Sequence, residues 1–179
     1  MSSLAKKYQT WLLFMALAAL MKSCTSPATL QVTPVDAELN HTLLTGDGLD
    51  GRLFSVSQPL QYYEVSHLNS LSPRAGRAAL DRYIRHQYRR ADLARLQQLS
   101  VLFYRPTRFV NYRTEAYEAA RDSDTGFLAV HRDALAAQLR LARVPGPGQQ
   151  WQRHWVLYHE QAIVLATTDT VSIEKLLPH

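Results

Sequence analysis

Leu135-Ala136-Ala137-Gln138-Leu139-Arg140-Leu141-Ala142-Arg143 is the stretch on which the fold class turns. Leu135, Ala137, Leu139 and Leu141 alternate with Ala136, Gln138 and Arg140, which is the two-residue period of a strand with one face in a core. Leu135, Leu139 and Ala142 also satisfy helical spacing, and alanine favours that alternative. The strand is the preferred reading over residues 134–144, with the helix left open. Pro145-Gly146-Pro147-Gly148 ends the element in either case.

On the C-terminal side, Trp151 to Tyr158 and Ala162 to Thr168 have strand composition, and His159-Glu160-Gln161 between them reads as the turn of a hairpin. Phe127 to His131 supplies a further strand on the N-terminal side, so the last third of the chain is expected to be a β-meander. Farther back, Ser72-Pro73 is a helix start, with Ser as cap and Pro at the first helical position. Leu80, Ile84, Gln87 and Ala91 follow at helical spacing, while Arg74, Arg82, Arg85 and Arg89 lie on the opposite face. Leu93, Leu96 and Leu99 fall out of phase with Leu80, which predicts a kink or a second helix capped by Asp92.

Leu53 to Val56, Gln61 to Val65 and Val101 to Tyr104 read as short strands or extended segments, with Phe109 to Tyr112 after the Pro106-Thr107 break. Thr114 to Arg121 reads as a short helix whose early glutamates suit its dipole. The expected class is therefore α+β: an antiparallel sheet with a C-terminal β-meander, packed against one main helix and one shorter helix. Thr25 to Leu53 is rich in Thr, Pro, Asp and Gly without periodicity, and reads as a tether.

The N-terminus carries a different kind of signal. Lys6-Lys7 leads into an apolar run from Trp11 to Met21 that stops at Lys22-Ser23-Cys24. The run is about half the roughly 20 residues that a spanning helix needs, and its order is that of a secretory signal. Residues 21–24 resemble the lipobox of a bacterial lipoprotein signal: Met21 takes the aliphatic position, Ser23 the small one, and Cys24 the site of modification. The resemblance covers residues 1–24 only. It implies cleavage before Cys24, a diacylglycerol on its sulfur and anchoring in membrane lipid by two or three acyl chains. Thr25 in place of Asp after the cysteine implies an outer rather than an inner membrane. The expected organisation is a signal peptide over 1–23, a lipidated tether over 24–52 and a single α+β domain over 53–179.

Charge looks different once that signal is set aside. The whole chain has 20 Lys and Arg against 15 Asp and Glu, a formal charge of +5, but Lys6, Lys7 and Lys22 all precede Cys24. The mature chain is close to neutral, which argues little for nucleic acid. The distribution is uneven: ten arginines face only Asp81 and Asp92 between Pro73 and Arg113, and the flanks are acidic. With the lone cysteine consumed by lipid, no disulfide is expected.

Several strings imitate catalytic motifs and fail a physical requirement. His159-Glu160 opens like a zincin helix, but position 163 is Ile where the second imidazole belongs. His131-Arg132-Asp133 spells a kinase triplet in a chain with no phosphate-covering Gly loop and no length for two lobes. Asp122, Asp124 and Asp133 mimic a calcium loop, yet Gly126 and Phe127 take the places of a ligand and of the required glycine. His67, His131 and His154 are scattered, and Asn40-His41-Thr42 is a sequon that a bacterial envelope protein leaves idle.

No catalytic residue, metal site or cofactor is expected. The expected activity is non-enzymatic: a cell-envelope lipoprotein presenting a ligand- or partner-binding surface. Its candidate anion- or partner-binding residues are Arg82, Arg85, Arg89, Arg90 and Arg95. They suit an acidic envelope component or another envelope protein rather than DNA. The alternative is an anchored hydrolase acting on envelope or extracellular polymers, and the plain reading of the arginines is a solvated face paired with the acidic flanks.

Overall fold

The stretch from Leu135 is a strand. The computed structural model describes residues 29–45, 59–108, 111–114, 132–146 and 150–177. Six strands lie side by side in chain order: β1 (Gln31–Pro34), β2 (Leu60–Ser66), β3 (Gln98–Tyr104), β4 (Leu135–Arg143), β5 (Gln150–His159) and β6 (Ala162–Ser172). The helices are α1 (Ala37–Thr45), α2 (Pro73–Gln87), α3 (Arg90–Ala94) and α4 (Ile173–Leu176). The class is α+β, and β4, β5 and β6 form the C-terminal meander.

The sheet is mostly antiparallel. One pair, β2 with β3, is parallel, because α2 and α3 carry the chain back over one face before β3 begins. Alternation along the central strands sends side chains into two separate cores. Tyr63, Val65, Val101 and Phe103 point towards Leu80 and Ile84 of α2, while Tyr62, Leu102 and Tyr104 point the other way, towards Leu39 and Leu43 of α1. The Phe103 ring stacks on Tyr63 at 5.6 Å and on Trp155 at 6.0 Å. Ala137 sits opposite Phe103 on β4, and its small side chain leaves the gap that lets those rings meet across the strand.

Ser72 caps α2 as its sequence requires: the Ala75 amide donates to Ser72 Oγ at 3.4 Å, and Pro73 fills the first helical position. Gly76 faces the core. A Cβ there would lie 2.9 Å from Leu68 Cδ1, so the glycine permits the close approach of α2 to the turn Leu68–Ser70.

Two expectations are corrected. The segment from 24 to 52, read as a tether, contributes β1 and α1 to the fold over residues 31–45. Val32 packs on one core and Leu39, fully buried, on the other. Asp36 caps α1 by accepting from the Leu39 amide at 2.9 Å. β1 only partly covers Val32, and α1 buries Leu39 and Leu43, which is too little to leave a periodicity to read.

Asp92, expected as a helix cap, stands instead at the third position of α3, where its carboxylate accepts from the Arg89 amide at 3.0 Å. The leucine repeat nearby is not one helix either. Leu93 lies in α3, Leu96 in the turn after it and Leu99 in β3, and all three reach the same core. The expected elements at Leu53–Val56 and Phe127–His131, most of Thr114–Arg121, residues 109 and 110, and residues 1–28 with the expected signal peptide and Cys24 lie outside the described residues. Among the described residues no helix is long and apolar enough to cross a membrane.

Candidate functional site

Most arginines of the basic middle third are already engaged inside the chain. On α2, Arg77 reaches Asp169 of β6 at 3.3 Å and Arg85 reaches Asp81 at 3.5 Å. Arg153 of β5 joins the two acids. Its Nε and one terminal nitrogen donate to Asp169 at 2.9 and 2.6 Å, and the other donates to Asp81 at 2.7 Å. Asp81 Oδ1 accepts from the Trp155 indole at 3.0 Å. This is a clamp that fixes α2 across β5 and β6. The Arg153 hydrogen bonds, helped by Arg77, hold the Asp169 carboxyl below the usual range, and Asp169 in turn raises Arg153. Tied in this way, Asp169 is unsuited to exchanging protons near neutrality.

Of the five candidate arginines, three are committed to internal partners. Arg85 belongs to the clamp. Arg89 pairs with Asp92 at 3.5 Å, and Arg90 Nε donates to the Leu177 carbonyl at 2.7 Å, tying α3 to the end of α4. Arg95 is exposed beyond α3. Arg82 has no carboxylate within ion-pair distance among the described residues and lines a cavity. The five therefore do not converge on one cleft.

The cavity at Arg82 is a trough of about 580 Å³ between β1 and α2. Register explains its floor: Val32 lies opposite Val65, so Leu30 and Val32 face the same side of the sheet as Tyr63 and Val65. α2 packs most closely towards β5 and β6, and the space between it and β1 stays open as the trough. Ala79 and Tyr83 form the wall, and Arg82 and His86 stand at the rim one helical turn apart. The Tyr83 ring meets Tyr63 edge-on at 5.5 Å, and partial burial raises its hydroxyl above the ordinary value. An apolar floor under a cationic rim suits a ligand that combines an apolar or extended body with an anionic group.

A second, more polar cleft of about 190 Å³ lies at the end of β1, lined by Asn40, Gln61, Tyr88, Arg89 and Asp92 among others. Its buried groups already satisfy one another. Asn40 donates to the Tyr62 carbonyl and accepts from the Tyr62 amide, both at 2.9 Å, so that its side chain replaces a strand partner. Gln61 Nε2 donates to the Asn40 carbonyl at 2.8 Å, and Tyr88 donates to Gln61 Oε1 at 3.3 Å. Burial pushes Tyr88 well up, with Tyr63 at 3.0 Å adding to it, so both phenols stay neutral. These bonds join α1 to β2. They also account for Asn40 of the sequon, which is 5 % exposed.

The motif look-alikes separate in space. His159 and Glu160 sit at the β5–β6 turn rather than on a helix. Asp133 is exposed in the turn before β4, and Asp122, Asp124 and His131 lie outside the described residues. His67 occupies a left-handed turn after β2 with φ 64°, whereas His154 in mid-β5 shares a 2.7 Å hydrogen bond with Thr168. No group of three or more His, Cys, Asp or Glu that would hold a metal forms among the described residues. The sequence reading missed Leu30, Val32, Tyr83 and His86. Their only local signal is the spacing of Arg82 and His86 on one helix face.

No protein-family model, curated protein or solved structure matches this chain.

Proposed function

We propose that this protein is a cell-envelope lipoprotein, acylated at Cys24, that binds an anionic envelope component or partner in the trough between β1 and α2. The observation that carries the reading is Arg82: alone among the five candidate arginines, it combines a cavity with the lack of an internal carboxylate among the described residues. A guanidinium at a rim offers paired N–H donors to a phosphate or carboxylate. The trough begins at Thr29, five residues after Cys24. Even a fully extended chain spans at most about 18 Å over that distance, so an acylated cysteine would hold the trough close to the bilayer surface.

The test is binding of the full chain to vesicles of anionic phosphatidylglycerol and to soluble polygalacturonate, with neutral phosphatidylcholine vesicles as the reference. Arg82→Glu is expected to weaken binding to the anionic probes roughly tenfold, in line with loss of a charged hydrogen bond, and to flatten its salt dependence. Arg95→Glu makes the same charge change away from the trough and is expected to leave binding nearly unchanged. Equal binding by wild type and Arg82→Glu would reject the site.

A further inference from the structure

Register gathers several features at one end of the sheet. Gln31 at the start of β1 lies opposite Ser66 at the end of β2, and Glu64 lies beside Tyr104 at the end of β3. Tyr104 lies opposite Leu135 at the start of β4, and His159 opposite Ala162 at the β5–β6 turn. The end at which the chain enters from Cys24 is therefore also the end that carries the hairpin, five inter-strand spacings across the sheet, or roughly 24 Å. Ile163 and Val164 beside that turn are 62 % and 43 % exposed, the large apolar side chains left open to solvent among the described residues. Two clefts of about 210 Å³ each lie at the same end, both bordered by Leu68 and Asn69. One is completed by Val65, Arg105 and Pro106, the other by Leu71, Leu157 and Val164 among others. Arg105 fixes the loops there, donating to the Tyr158 carbonyl at 2.7 Å and to the Asp133 carbonyl at 3.4 Å. Arg108 and Arg132, on the segments that leave β3 and enter β4 at this end, are exposed, as are Asp133 and Glu160.

We propose that this end of the sheet docks on an anionic lipid bilayer, with Ile163 and Val164 entering the headgroup region and Arg108 and Arg132 facing lipid phosphates. The occupant follows from where the chain comes from. Thr29, at this end, stands five residues after Cys24, at most about 18 Å of extended chain, so acyl chains on that cysteine bring their own bilayer to this end rather than to the opposite one. The proposal rests on the reading that Cys24 is acylated and leaves the ligand of the trough open. Two apolar side chains and two cations bind a membrane weakly by themselves. Tethering makes the contact intramolecular, which raises its effective concentration without any further contact. Arg105 keeps the hairpin, the turn before β4 and the end of β3 together, so that the face meets the lipid already formed.

The test carries the acylated full chain in mixed phosphatidylglycerol and phosphatidylcholine vesicles, with a nitroxide on Ala162→Cys or, at the far end of the sheet, on Gln98→Cys. Cys24 is the one cysteine of the sequence, so acylation leaves each variant a single free thiol. The label at 162 is expected about 5–10 Å inside the headgroup boundary, relaxed by oxygen in preference to an aqueous nickel complex, and the label at 98 in water. Arg108→Glu with Arg132→Glu is expected to lower the ratio of docked to undocked label at 162 at least about tenfold, and Ile163→Asp several-fold. Arg95→Glu with Arg143→Glu makes the same charge change at the far end and is expected to leave the ratio unchanged. Circular dichroism melting of each variant is expected to match its parent, since all of these side chains are exposed. A vesicle-bound chain whose label at 162 is as open to water as the label at 98 would overturn the docking face and leave the acyl anchor standing. Protection at 162 indifferent to both the charge reversals and Ile163→Asp would equally overturn it. Uptake of the nitroxide by the unsubstituted chain would reveal a free Cys24 and overturn the anchor and the docking face together.

Discussion

At the scale of single residues, the chain stakes most on Asp81. Its carboxylate takes a hydrogen bond from Arg153 and another from the Trp155 indole, and its side chain is 14 % exposed. Asp81→Ala removes one partner of a largely buried pair and leaves both donors short of an acceptor. The expected loss of stability is about 3–5 kcal/mol, read as a lower urea midpoint at constant slope. Arg85 touches the same carboxylate from a side chain 40 % exposed, and Arg85→Ala is expected to cost under about 1 kcal/mol. The contrast separates a clamp residue from a solvated one. In the sequence the arginines were countable, and Asp81 stood out as one of two acids among them. Nothing local marked Asp169 or Trp155 as their companions.

Among the elements, the β5–β6 hairpin shows how far local chemistry can be overruled. His159-Glu160-Gln161 was legible as a turn, yet Glu160 and Gln161 take φ of 46° and 72°, a region where side chains other than Gly and Asn are uncommon. The long pairing of β5 with β6 holds them there. Gln161→Gly relieves the left-handed strain and is expected to raise stability by about 1 kcal/mol, seen as a melting temperature higher by a few degrees. An unchanged or lower melting temperature would mean that the turn carries no such strain. β4 makes the complementary point. Its leucines alternate as a strand while its alanines suit a helix, and the decision falls to its neighbours. Flanked by β3 and β5, it needs small side chains opposite Phe103 and Leu157, and Ala137 supplies one.

Across the whole molecule, Cys24 stands only five residues before Thr29, where the described fold begins. If Cys24 carries the acyl chains, Cys24→Ala is expected to abolish lipid labelling and move the protein from the membrane to the soluble fraction. An unchanged distribution would refute the anchor. The sequence by itself determined what short windows encode: the strand period from Leu135, the Ser72-Pro73 cap and the hairpin turn. Only the tertiary structure decided that β2 and β3 run parallel, that residues 31–45 join the sheet, and which arginines are bound. Those outcomes depend on partners distant in sequence, as with Arg77 and Asp169, 92 residues apart. A helix cap or a strand period is an energy of neighbours along the chain, whereas an ion pair or a core contact exists only once folding has brought its two halves together.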